Sequence, residues 1–192
     1  MLYSSHPPRL FRNSFKMKYI NNKNIFFSVY DNNENIIYKI GKDGENIVPA
    51  SIAKIYTLVY VLDILKDYDK EKKVKAGNEI ELNSKDASAA GLIKGKEYKI
   101  NDLISSAVII SAGDSVYTLT KIAYNFERGI EINTDILKNN STKDEKSKVV
   151  SDISEHITKY LKEKIKLSDD TKITDPTGIL NTSKTSYKDM YI

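Results

Sequence analysis

Pro49-Ala50-Ser51-Ile52-Ala53-Lys54-Ile55 puts a serine at the start of an apolar segment and a lysine three residues further on. As far as Leu65, the residues Ile55, Leu58, Val59, Leu62 and Leu65 recur at three- and four-residue spacing, which predicts an amphipathic helix with that stripe turned inward. Residues three apart on a helix are neighbours at about 5–6 Å between Cβ atoms, so the Lys54 amine can reach the Ser51 hydroxyl. A serine hydroxyl needs an adjacent base at neutral pH, and a lysine serves where burial or nearby positive charge lowers its pKa. The helix N-terminus adds N–H groups and a partial positive charge that favour a developing oxyanion. A plainer reading exists. Serine is a favoured helix cap, and S-x-x-K arises readily by chance in a chain rich in both residues.

The 192 residues suffice for one substantial core or two small lobes, and a composition of 40% hydrophobic and 29% charged residues is that of a globular protein. Cysteine is absent, which excludes disulfides and thiolate metal sites. The net charge of +4 comes from interspersed lysines, and arginine is scarce (Arg9, Arg12, Arg128), so the chain offers no nucleic-acid face. Mild positive charge would help approach to an anionic polymer. No stretch has the apolar length of a transmembrane helix. Met1 to Lys18, with His6-Pro7-Pro8-Arg9, lacks the apolar run of a signal peptide. It is expected to be a non-native or disordered segment ahead of one domain over residues 19–192.

Ile25 to Tyr30 and Ile36 to Ile40 are rich in β-branched and aromatic residues, and Asp31-Asn32-Asn33-Glu34-Asn35 between them suits a tight turn, so a β-hairpin is expected. Gly41 to Val48 reads as a polar loop leading to the serine-bearing helix, and Lys66 to Lys75 as a charged connection after it. A short strand is expected around Glu79-Ile80-Glu81-Leu82, and a surface loop over Ala87 to Gly95. Asn101 can cap a helix from Asp102 to Ile110 that looks buried nearly all round. Gly113 suits its stop and Asp114 the cap of a further helix with Val116, Leu119, Ala123 and Phe126 on one face. The least structured part is expected over Glu127 to Lys148, with a mobile loop at Asn139 to Lys146. A last amphipathic helix carries Val150, Ile153, Ile157, Tyr160, Leu161 and Ile165. His156 beside that stripe has no second ligand spaced to join it, so it reads as a boundary residue and no metal site is expected. Asp175-Pro176-Thr177-Gly178 is a turn by composition.

The order of these segments resembles the serine D-Ala-D-Ala carboxypeptidases, the low-molecular-weight penicillin-binding proteins related to class A β-lactamases. The resemblance rests on the hairpin, on Ser51-Ile52-Ala53-Lys54, on Gly91 to Ile104 leading into Ser111-Ala112-Gly113-Asp114, on Asp175-Pro176-Thr177-Gly178-Ile179, and on Thr185-Ser186-Tyr187-Lys188-Asp189-Met190. It implies an α+β fold in which a helical lobe and an N-terminal hairpin belong to an antiparallel sheet that is incomplete at the C-terminus of this chain. It implies Ser51 as the acylated nucleophile and Lys54 as its general base. Ser111 matches the serine of the S-x-N element, which relays a proton to the leaving amine. The asparagine of that element, which helps hold the substrate amide, falls on Gly113, so that substrate-binding position has no side chain. The K-T-G strand that lines the cleft and supplies one oxyanion N–H has no counterpart before Ile192, and Lys184-Thr185-Ser186 lies in a different segment.

The activity so implied is hydrolysis of peptidoglycan stem peptides through a Ser51 acyl-enzyme, sensitive to β-lactams, outside the cytoplasm at the cell envelope, with no cofactor. The open sheet edge would invite a complementary C-terminal segment or self-association. A non-catalytic relative acting as a binding module is the alternative, favoured by Gly113 and the missing strand. A β-lactamase would need a second base in an E-x-x-L-N segment, which the chain lacks.

Overall fold

The computed structural model describes residues 27–33, 35–40 and 47–190. The expected segment 1–18, and parts of the first strand and of the loop over Gly41 to Val48, lie outside the described residues. The chain has an α+β fold of two small antiparallel sheets and a helical lobe. Strands β1 (Phe27–Tyr30) and β2 (Ile36–Ile40) form the expected hairpin. Its turn is fixed by Asp31, whose carboxylate accepts from the backbone N–H groups of Asn33 and Asn35, both at 2.8 Å. Helix α1 spans Ala53–Ile64. Strand β3 (Lys73–Lys75) lies inside the stretch expected to be only a charged connection, and pairs with β4 (Glu97–Lys99). Then come α2 (Ile100–Ile109), α3 (Gly113–Glu127), α4 (Lys143–Ile165) and a short α5 (Tyr187–Met190).

Helix α3 is the centre of the lobe. Val116, Leu119, Ile122 and Ala123 have no exposed surface, and α1, α2 and the 3₁₀ turn Asn78–Leu82 pack around it. Phe126, expected on the same face, is 43% exposed. The turn Asn78–Leu82 replaces the expected strand because its buried residue is Glu79, not Ile80. The chain bends inward so that Glu79 Oε1 meets Lys121 Nζ at 3.0 Å and accepts from Gly77 N and Thr118 Oγ1, while Oε2 is buried without a hydrogen-bond partner. Helix α2 is capped at Lys99, not Asn101, and buries one stripe, Ile100, Leu103 and Ala107. Val108, Ile109 and Ile110 are exposed, contrary to expectation, because nothing among the described residues packs on that side. The mobile loop expected at 139–146 gives way to a helix start. Thr142 accepts from Glu145 N while the Glu145 carboxylate accepts from Thr142 N, a reciprocal capping box.

Helices α1, α3 and α4 meet at Glu127. Its Oε2 accepts from Tyr60 Oη at 2.9 Å and lies 2.7 Å from His156 Nε2, with Arg128 stacked 3.4 Å over the Tyr124 ring. His156 therefore sits at the boundary of the core, as expected.

Candidate active site

The serine and lysine are brought together as the spacing predicts. Ser51 lies in a 3₁₀ turn, Ala50–Ile52, that runs into α1, and Lys54 lies in the first turn of α1. Lys54 Nζ is 3.0 Å from Ser51 Oγ and 3.0 Å from the carbonyl oxygen of Thr177. Ser51 is exposed whereas Lys54 is 4% exposed. Burial therefore pushes the Lys54 amine below the usual lysine range, and the negative charge of Asp175 opposes the shift without reversing it. A neutral amine there can accept the Ser51 proton while one of its own N–H bonds is held by Thr177 O.

The face of α1 that places Lys54 inside keeps only part of the expected stripe: Leu58 and Leu65 are buried and Val59 packs against the core. Ala53, Tyr56, Thr57, Tyr60 and Val61 are buried, whereas Ile55 is 51% and Leu62 43% exposed. The reason is that tyrosine and threonine can be core residues when their hydroxyls are satisfied. Tyr56 Oη donates to Asp189 O and shares a hydrogen with Thr185 Oγ1, Thr57 Oγ1 donates to Pro176 O, and Tyr60 Oη donates to Glu127. Turned this way, α1 carries Lys54 inward.

The turn Asp175-Pro176-Thr177-Gly178 is built against this pair. Asp175 is buried and its carboxylate accepts from Tyr117 Oη, Thr177 N, Thr177 Oγ1 and Leu180 N. Those bonds aim Thr177 O at Lys54. Gly178 has φ +73, and a Cβ on it would lie 1.8 Å from Ala50 O. Glycine is what lets the turn close on the backbone just before the nucleophile. Ala50 itself has φ +45, a left-handed conformation costly for a residue with a side chain. The sequence marks this segment as a turn and as part of the family resemblance, but nothing in it signals that Thr177 O holds Lys54 from 123 positions away.

Ser111 also has a left-handed backbone, φ +59, at the corner between α2 and α3. Among the described residues it makes no hydrogen bond with Ser51 or Lys54 that would join it to the pair. Gly113 is buried, and its N–H donates to Ser88 O at 2.8 Å. Asp114, expected to cap α3, lies within its first turn, the cap being Ala112. Its carboxylate accepts from Ala90 N and Leu92 N, both at 2.9 Å, and so ties the 87–95 loop to the start of α3. A groove of about 220 Å³ beside the Asp175–Gly178 turn is bordered by Tyr117, Thr177, Leu180 and Lys146. Among the described residues no cluster of metal-ligating side chains occurs, and no helix is long and apolar enough to cross a membrane.

No protein-family model and no curated protein matches the chain. Solved structures do. Penicillin-binding protein 5 from Haemophilus influenzae superposes with a TM-score of 0.55 at 21% identity, over 82% of this chain and 39% of that one. A D-alanyl-D-alanine carboxypeptidase from Francisella tularensis gives 0.61 at 14% identity, over 88% and 35%. Penicillin-binding protein 6B from Escherichia coli gives 0.56 at 18% identity, over 82% and 43%. The chain thus spans between 35% and 43% of the length of these structures. Over that span its fold is the one seen in these penicillin-binding proteins and in the D-alanyl-D-alanine carboxypeptidase.

Proposed function

We propose that this chain carries the acylation centre of a serine D-Ala-D-Ala carboxypeptidase acting on peptidoglycan stem peptides. The observation that carries the reading is the buried Lys54 amine held 3.0 Å from the exposed Ser51 hydroxyl. Ser51 Oγ attacks the carbonyl carbon of the penultimate D-Ala and its proton passes to Lys54 Nζ. The tetrahedral adduct collapses with cleavage of the peptide bond, and the terminal D-Ala leaves as a neutral amine, its proton delivered through Ser111. Water then hydrolyses the Ser51 ester and restores the hydroxyl. A β-lactam carbonyl would acylate the same oxygen. Action on such a polymer puts the protein at the cell envelope, outside the cytoplasm.

The alternative is a binding module without turnover. It is favoured by the absence of a side chain at Gly113 and of a hydrogen bond between Ser111 and the Ser51–Lys54 pair among the described residues. The buried lysine speaks against it, since an amine kept in the interior without a charge partner at contact is costly unless it is used.

The test is intact-protein mass spectrometry after incubation with a penicillin, beside a Ser51→Ala chain. The expected result is a single adduct that maps to Ser51 and is missing from the variant. A folded chain that forms no adduct would overturn the reading in favour of the binding module.

A further inference from the structure

The space that glycine leaves at position 113 is filled from another segment. A Cβ on Gly113 would lie 2.1 Å from Asn83 Oδ1 and 2.9 Å from Asn83 Cγ, closer than any side chain can come. The backbone of Gly113 is ordinary helix rather than left-handed, so it is the occupied space, not the conformation, that keeps the residue glycine. Asn83 closes the 3₁₀ turn Asn78–Leu82 with an extended backbone. Its Nδ2 donates to Ser88 O at 3.3 Å, and the same carbonyl accepts from Gly113 N at 2.8 Å. One oxygen therefore ties both residues together. It also sets the orientation of the Asn83 amide, because a flipped amide would put Oδ1 against another acceptor. In this orientation Oδ1 is buried and has no hydrogen-bond partner. A buried acceptor without a donor is unfavourable, and such groups are retained where something else depends on them.

We propose that Asn83 is the positioning residue for the Ser111-Ala112-Gly113 corner, its carboxamide standing, from the neighbouring loop, where a side chain at position 113 would otherwise be. The corner holds a left-handed Ser111 two residues before Gly113. The Gly113–Ser88–Asn83 linkage fixes where that corner sits, and with it the Ser111 hydroxyl. Asn83 and any larger residue at position 113 exclude one another. This inference rests on the proposed function only in giving Ser111 a chemical part.

The test is a two-residue exchange. The unaltered chain, Asn83→Gly, Gly113→Asn and the double variant are compared for thermal midpoint and for the rate of penicillin adduct formation, measured over a range of penicillin concentrations to separate binding from acylation. Each single change is expected to slow acylation by about tenfold or more, and the exchange to return it to within about threefold of the unaltered chain, with midpoints following the same non-additive pattern. Asn83→Asp keeps the shape but loses the donor to Ser88 O. It is expected to acylate as slowly as Asn83→Gly even where its midpoint is unchanged, which mere space-filling would not produce. An Asn83→Gly chain that reacts at the original rate, or an exchange no better than the worse single variant, overturns the proposal. If the unaltered chain forms no adduct, the functional reading fails by itself. The midpoints then decide the Asn83–Gly113 pairing, which is overturned if the two changes are additive.

Discussion

Lys54 is where the chemistry and the pH dependence of this protein meet. Burial holds its amine below the usual lysine range, so the neutral form that can take the Ser51 proton increases as pH rises through the lowered value. Adduct formation is therefore expected to climb with pH and to level off below the free-lysine value of about 10.4. Stability changes in the same direction. Between the lowered and the free value the unfolded chain binds more protons than the folded one, so stability rises with pH there, and the full cost of burying the charged amine is borne below that window. Lys54→Met removes both effects: adduct formation should fall by about 10²–10⁴-fold while the midpoint in urea at neutral pH is not lowered. A Lys54→Met chain that reacts normally would mean the base is another group. Gly178 is the second sensitive residue. Gly178→Ala forces a side chain into φ +73 and onto Ala50 O, a strain of at least about 1–3 kcal/mol. Urea unfolding should show that loss, and the penicillin adduct should form more slowly, because the carbonyl that holds Lys54 moves with the turn.

At the scale of elements, the buried Lys121–Glu79 pair decides how α3 holds the 3₁₀ turn beside it. Both side chains are fully buried, and Lys121 Nζ also donates to Lys75 O at 2.6 Å, which links the pair to β3. Glu79→Gln keeps a neutral acceptor but leaves Lys121 as an uncompensated buried charge, so a loss of about 3–5 kcal/mol is expected in chemical denaturation. The double variant with Lys121→Met should recover much of it, and an additive result would show that the two groups do not interact. This pair also explains why part of the fold could not be read from sequence. Glu-Ile-Glu-Leu alternates as a strand does, and only the burial of Glu79 against a lysine 42 positions away in the chain makes it a turn. The Thr142–Glu145 capping box was written in the sequence as Thr-x-x-Glu, but the polar run around it masked the helix start. Part of the inward face of α1 was hidden because Tyr56, Thr57 and Tyr60, which carry their own polar atoms, join Ala53, Leu58 and Val61 in the core. The hairpin, the Ser51–Lys54 contact and the Asp-Pro-Thr-Gly turn were legible, since each depends on residues close together in the chain.

Over the whole molecule, the hairpin and α1 each leave an apolar face exposed among the described residues, in addition to the end of α2. Phe27, Ile36, Ile37 and Tyr38 of the hairpin are between 45% and 49% exposed, and Ile52 of the 3₁₀ turn with Ile55 and Leu62 of α1 between 40% and 51%. A two-stranded hairpin is marginal by itself, and a sheet with open edges and an apolar face tends to recruit another strand. Backbone amides of β1 and β2 should therefore exchange with solvent much faster than those of α3 in hydrogen-exchange measurements. The same surfaces should make the chain associate with itself. Sedimentation velocity is expected to show a weight-average mass that increases with concentration, and a variant carrying Ile37→Lys and Ile55→Lys should stay close to the monomer mass with unchanged circular dichroism, because both side chains are exposed and leave the core intact. Association that persists in that variant would place the contact elsewhere, with Val108, Ile109 and Ile110 beside the Ser111 corner as the next surface to charge. A chain that stays monomeric throughout would mean that hairpin and helix tolerate exposure, leaving both faces open to a complementary β-segment, which can be tested by adding such a segment and following the protection of the β1 and β2 amides.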